Sequence, residues 1–196
     1  TYTLIGVEKG SYTLRVFVAS QKEDFTNASN NSRGNMTVTG AERPIVGSTA
    51  ENKIFYNIKN VRSGKYANYE GAGVQFTQVT TPTLGSYWYL MEVADAEGVP
   101  EGYKAYYLYN AGNTLAVENP GSGNMAANDA DPYPAKVYCI GIHTKGTTTG
   151  VVIRALGEDG ASWNDAQGAG TKIANHSYDD AGSIWEFEKT NITESQ

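Results

Sequence analysis

Apolar residues in this chain come in short alternating runs, set between turns rich in glycine and asparagine. "GSYTLRVFVAS" (10–20), "IFYNIKNV" (54–61), "AYYLYN" (105–110), "KVYCIGI" (136–142) and "GVVIRAL" (150–156) place apolar side chains at nearly every second position. That period puts them on one face of an extended strand. No stretch longer than about ten residues carries a helical stripe. The pattern predicts an all-β protein built from many short strands.

One phrase is written twice, as "LGSYWYLMEV" (84–93) and "AGSIWEFEKT" (181–190). Its spacing becomes intelligible once the apolar runs are aligned. Ile58, Leu108 and Ile153 fall into register, at steps of 50 and 45 residues. After the turn that follows each of them, Tyr66, Leu115 and Trp163 align. Trp88 and Trp185 lie 30 and 32 residues beyond Ile58 and Ile153, and Tyr138 lies 30 beyond Leu108. The two Gly-Ser-x-Trp phrases are then the first and third members of a set of three. The middle member, "AKVYCIGI", has lost the Gly-Ser and has Tyr for Trp. Three segments of about 45–50 residues, near 54–100, 101–147 and 148–190, each hold four short strands. Three units are too few for a propeller and lack the caps of a solenoid. A closed threefold barrel fits them.

Residues 1–50 fall outside the three segments. "GSYTLRVFVAS" and "NMTVTG" (35–40) flank a polar, turn-rich stretch, which predicts a β-hairpin with a long loop. This N-terminal extension is either the tail of a preceding β module or an addition packed on the barrel. "ERPIVGSTAEN" (42–52) reads as a linker, and residues 51–196 as the main domain.

Segments that open with a strand, pass a turn such as "SGKY" (63–66) and close with x-x-Trp resemble the β-trefoil of ricin-B-type lectin modules. The resemblance covers residues 54–189. It implies a β-trefoil that binds an oligosaccharide or glycan without catalysis. It also implies a secreted or cell-surface (extracellular or periplasmic) location, beside other modules of a larger protein. The Gly-Ser-x-Trp variant is similar to trefoil modules of secreted bacterial carbohydrate-processing proteins. The family closes its units on Gln-x-Trp. Here the phrases are Ser86-Tyr87-Trp88, Lys136-Val137-Tyr138 and Ser183-Ile184-Trp185, with no glutamine. The family's sugar-binding carboxylate lies two residues beyond the position aligned with Tyr66, Leu115 and Trp163. That gives Asn68, Val117 and Asp165, of which only the third is acidic.

A sugar site needs an apolar face for the C–H side of the ring and polar groups for adjacent hydroxyls. "SWNDAQGAGTKIANHSYDD" (162–180) is the richest stretch. Asp165 would accept two hydroxyls, Asn164 and Asn175 would supply amides, and His176 or Tyr178 would form the stacking shelf. The competing reading makes the same Asn and Asp residues turn caps. Asn68 and Tyr69, with Gln75 and Gln78, form a weaker set in the first segment. Trp88, Tyr138 and Trp185 are expected in the core, with each indole N–H on a backbone carbonyl. Trp163 faces the same choice between core and ligand. In the second segment, Asp129 and Asp131 have D-x-D spacing in the polar loop 118–134, which does not match a calcium loop.

Charge and cysteine usage narrow the classes. Lys and Arg total 15 against 21 Asp and Glu, for a net charge of −6. That balance argues against nucleic acid as a partner. No apolar run approaches the ~18 residues of a spanning helix, so membrane insertion is not expected. A start at Thr1 suggests a processed or trimmed chain, which leaves room for a removed leader. The lone Cys139 excludes an intramolecular disulfide and is expected as a buried thiol. Catalysis has little support: the two histidines, His143 and His176, lie in no H-E-x-x-H, and no G-x-S-x-G elbow occurs. No metal or cofactor is expected. Two other classes stay open. One is a protein–protein module acting through loops 94–104 and 118–134. The least favoured is a glycoside-processing enzyme, whose carboxylate pair any two acids could supply.

Overall fold

The structure, a computed structural model, describes residues 10–17, 31–38, 45–71, 74–112, 114–118, 125–128, 136–158 and 160–192. The chain divides into two compact units, Thr1–Ile45 and Val46–Gln196. In the first, β1 (Gly10–Phe17) and β2 (Asn31–Val38) pair antiparallel, from Gly10 opposite Val38 to Phe17 opposite Asn31.

The second unit holds twelve described strands in one sheet. In chain order they are β3 (Tyr56–Asn60), β4 (Tyr66–Asn68), β5 (Thr77–Val79), β6 (Trp88–Glu92), β7 (Lys104–Asn110) and β8 (Leu115–Glu118). Then come β9 (Met125–Asn128), β10 (Val137–Lys145), β11 (Thr148–Ala155), β12 (Ala161–Asp165), β13 (Ile173–Ser177) and β14 (Trp185–Lys189). Six of them close a ring: β3 pairs β6, then β7, β10, β11 and β14 follow, and β14 returns to β3. Every pair is antiparallel. The other six form three hairpins: β4–β5 hangs on β3, β8–β9 on β7, and β12–β13 on β11. Closure removes the free edges that an open sheet would expose.

The closing strands share one register. Trp88 stands opposite Asn110, Tyr138 opposite Ala155, and Trp185 opposite Asn60. One residue before each aromatic, the backbone oxygens of Tyr87, Val137 and Ile184 accept from the N–H groups of Ala111, Leu156 and Val61, at 2.9, 2.8 and 3.0 Å. Tyr138 therefore occupies the place that the two tryptophans occupy in their own strands.

The core is aliphatic within the ring, where Ile58, Leu90, Leu108 and Ile153 are fully buried, and aromatic under the hairpins. The Trp163 ring lies at the centre of that aromatic layer. Its centroid is between 5.2 and 6.3 Å from those of Phe76, Trp88, Tyr138 and Trp185. The Trp88 indole N–H donates to the oxygen of Ala67 at 3.1 Å, and that of Trp185 to the oxygen of Trp163 at 3.0 Å. These bonds satisfy two buried donors where no water reaches.

The same bonds correct the hairpin alignment. Trp163 corresponds to Ala67, not to Tyr66. Strand pairing agrees: Lys59 faces Tyr66, Tyr109 faces Leu115, and Arg154 faces Ser162. The turn after β11 is one residue longer than the turn after β3, and this shifts every later position in the third segment. Trp163 thus has alanines, Ala67 and Ala116, as its counterparts. One indole fills the centre that three medium side chains would otherwise share.

The expected linker over 42–52 is part of the barrel domain from residue 46. Val46 N–H donates to the Tyr56 hydroxyl, and Ser48 N–H to the oxygen of Leu90.

Candidate functional site

Each Gly-Ser-x-Trp phrase begins as a single 3-10 turn, Leu84–Ser86 and Ala181–Ser183. The glycines are there for space. A Cβ on Gly85 would lie 2.2 Å from the backbone oxygen of Tyr69, and one on Gly182 would lie 2.2 Å from Nη2 of Arg62. Asparagine amides hold both turns. Those of Asn110 and Asn60 donate to the oxygens of Gly85 and Gly182, at 2.9 and 2.8 Å. The serines are held as well: Ser86 donates to Oδ1 of Asn68 at 3.0 Å, and Asn164 donates to Oγ of Ser183 at 2.9 Å. The middle segment, which has no Gly-Ser, has Ala155 and Val117 where these asparagines would stand.

Asn68 is therefore a buried turn anchor. Its Oδ1 also accepts from the Thr83 hydroxyl at 2.7 Å. Asn164 plays the matching part in the third segment, and its amide also donates to Oδ1 of Asp180 at 2.8 Å.

Asp165, the expected acceptor of sugar hydroxyls, is 0% exposed. Its Oδ1 accepts from the Gln78 amide at 2.8 Å and the Gly170 N–H at 2.7 Å. Its Oδ2 accepts from Nε of Arg62 at 3.2 Å, and Nη2 of Arg62 donates to its backbone oxygen at 2.7 Å. A buried carboxylate needs such donors, and they leave nothing to present to a sugar. In the corrected register Asp165 is the counterpart of Tyr69. The position implied for the family's carboxylate holds Asn68, Val117 and Asn164, none of them acidic.

Two openings flank the Gly-Ser turns. A cleft of about 420 Å³ is lined by Arg62, Asn164, Gln167, Asn175, His176 and Asp180, among others. Three expected site residues, Asn164, Asn175 and His176, thus meet in one place. The Asn164 amide, donating to Asp180, holds that carboxyl below the usual carboxylate range. Partial burial opposes the effect, while the Gly182 N–H and the Arg62 charge add to it. Tyr178 lies outside this cleft. Its ring carries the Arg154 guanidinium at 4.1 Å and meets the His143 ring edge-on at 5.2 Å. Beside it, Asp179 accepts from Lys145 at 2.7 Å and pairs with His143 at 3.1 Å, and both bonds hold its carboxyl low.

The second opening is a groove of about 630 Å³, lined by Phe55, Tyr69, Glu70, Leu84, Tyr87, Gly112 and Ile192, among others. It occupies the place in the first segment that the cleft occupies in the third. Gly112 follows Asn110 as Arg62 follows Asn60, by two residues. Arg62 reaches across Gly182 to Asp165 and takes up part of that space. Gly112 has no side chain, Tyr69 replaces Asp165, and the space stays open. Leu84 at its edge is 87% exposed. Of the expected site residues only Tyr69 lines this groove. Glu70, Leu84, Tyr87 and Ile192 were not legible as site residues. The signal for them is Gly112 standing where the third segment is served by an arginine.

Cys139 is a buried free thiol, and burial pushes its pKa up. Asp129 and Asp131 lie outside the described residues, as does much of loop 118–134.

No family model matches the chain, and no curated protein matches it. Solved structures do. A GlcNAcα1-4Gal-releasing endo-β-galactosidase from Clostridium perfringens is similar at 13% identity and TM-score 0.50, over 70% of this chain and 33% of its own. The present chain therefore spans about a third of that protein. A structure described as the BEL β-trefoil is similar at 10% identity and TM-score 0.56, over 75% of this chain and 98% of its own. The Rhizoctonia solani agglutinin is similar at 13% identity and TM-score 0.52, over 69% and 94%. At such identities a likeness speaks for the fold alone, and the fold it gives this chain is the β-trefoil.

Proposed function

We propose that this chain is a non-catalytic, lectin-like carbohydrate-binding module, and that the groove beside Tyr69 and Tyr87 holds the sugar. The observation that carries the reading is the pairing of two half-buried tyrosines with an exposed carboxylate, Glu70, in one groove of about 630 Å³. That volume suits one or two sugar rings. A pyranose has a C–H face, which gains by leaving water against an aromatic ring. Its hydroxyls need fixed polar partners at the edge, and a carboxylate can accept from two of them. The agglutinin among the similar structures supports this reading through its fold.

On this reading the three sequence units, near 54–100, 101–147 and 148–190, are trefoil repeats whose sites have diverged. The first keeps the wider groove, and the third has its counterpart narrowed by Arg62. A secreted or cell-surface location, beside further modules of a longer protein, belongs to the same proposal. The endo-β-galactosidase, in which the matching part is a third of the chain, supports it.

The test is a glycan array followed by calorimetric titration of the best sugar against the wild type, Tyr69→Ala and Tyr87→Ala. Removing either ring is expected to weaken binding roughly tenfold. An array with no binding above background, or full affinity in both variants, overturns the reading.

A further inference from the structure

We infer that the groove prefers sugars bearing a free ammonium group over neutral ones, and neutral ones over acidic ones. The inference rests on the sugar-binding reading above and names its substrate class. Glu70 is the only charged residue among the described residues lining the groove. It is exposed, and the bond recorded to it comes from the Thr77 hydroxyl, to Oε1 at 2.9 Å. Among the described residues it forms no ion pair. Several carboxylates elsewhere on this domain have cations: Asp165 and Asp180 have Arg62, Asp179 has Lys145, Glu92 has Lys104, and Glu188 has Lys59.

The two openings differ in charge. In the third segment a built-in cation, Arg62, occupies the space beside the Gly-Ser turn. In the first segment Gly112 has removed that cation, and Glu70 stands where the third segment has Ala166. Among the described residues the groove therefore has a carboxylate and the faces of aromatic rings, and no positive charge. An ammonium on the ligand supplies the missing charge. It pairs with Glu70 and gains from the negative faces of Tyr69 and Tyr87. The net charge of −6 favours approach of a cation and opposes that of an anion. A uronic, sialic or sulfated sugar would bring a second negative charge to a site where no described residue is a cation.

The experiment compares trimers of glucosamine and galactosamine with their N-acetylated counterparts and with the corresponding uronic acid trimers. Titrations are run at about pH 6, where a sugar amine is protonated. They use the wild type, Glu70→Gln and Tyr69→Ala, in low and high salt. The amino trimer is expected to bind roughly two- to fivefold tighter than the N-acetylated one, the scale of an exposed ion pair. High salt should shrink that ratio, and Glu70→Gln should bring it close to one. Sugar binding that needs Tyr69 but shows no charge order, or favours the acidic trimer, overturns this inference and leaves the sugar-binding reading standing. Binding of no trimer, with a blank glycan array, overturns both.

Discussion

Arg62 and Asp165, 103 residues apart in the chain, meet at two points: Nε with Oδ2 at 3.2 Å, and Nη2 with the backbone oxygen at 2.7 Å. The contact joins the turn after β3 to the end of β12. It also covers a carboxylate with no exposure of its own. Truncation of the arginine would leave that carboxylate buried with the Gln78 and Gly170 donors alone. Arg62→Ala is expected to cost about 2–4 kcal/mol in urea unfolding. Arg62→Lys should recover little, because one ammonium cannot serve both acceptors with the fixed fork of a guanidinium. Wild-type stability in either variant would refute the role given to this pair.

Trp163 holds the aromatic layer together. It is fully buried and touches four aromatic rings, and the alanines at its corresponding positions are as buried as it is. Nothing nearby can expand to fill its place. Trp163→Ala should cost about 3–5 kcal/mol. A chemical denaturation midpoint that barely moves would show that the aromatic layer can collapse.

The glycines of the two turns should respond differently to a methyl group. Gly85→Ala drives Cβ into a backbone oxygen, which cannot step aside, and should cost at least ~1–3 kcal/mol. Gly182→Ala meets the end of the Arg62 side chain, so its cost is mostly the loss of the arginine's contacts. In an Arg62→Ala background, Gly182→Ala should therefore add little, while Gly85→Ala keeps its full effect. Additive costs for the Arg62 and Gly182 changes would contradict the packing described.

Acid should loosen the third segment first. Asp180 has its carboxyl held low by Asn164, the Gly182 N–H and Arg62. A carboxyl depressed in the folded state stabilises the fold above its unfolded pKa of about 3.9, and that stability drains away as pH falls through the lower, folded value. Asp180→Asn should thus flatten the loss of stability below roughly pH 4. The comparison is thermal melting of both proteins across that range. An unchanged acid limb would remove Asp180 from the account.

Much of the architecture could be read from spacing. The Ile58, Leu108 and Ile153 alignment, and Tyr138 as counterpart of Trp88 and Trp185, follow from the period of the apolar runs. Strand pairing places all six in matching ring positions. The site was read less well, for one physical reason. A turn one residue longer before β12 moved Trp163 and Asp165 out of register with Tyr66 and Asn68. Asp165 then looked like a binding carboxylate when it is a buried partner of Arg62. Arg62 lies far from Asp165 in sequence, so no local pattern marked the pair. The asparagines were closer to legible. Asn60, Asn68, Asn110 and Asn164 accompany the two Gly-Ser phrases, and the middle unit has lost phrase and amides together.

The ring has a consequence for how the chain is made. Its last strand, β14, lies against its first, β3, so that Lys59 meets Glu188 across 129 residues of chain. A chain emerging from the ribosome holds β3 long before it holds the strand that must cover it. Until about residue 189 is free, two strand edges stay exposed to any neighbouring chain. Closing so long a loop is also slow. Removal of the final strand should thus damage the protein more as a nascent or refolding chain than the five residues of β14 would suggest.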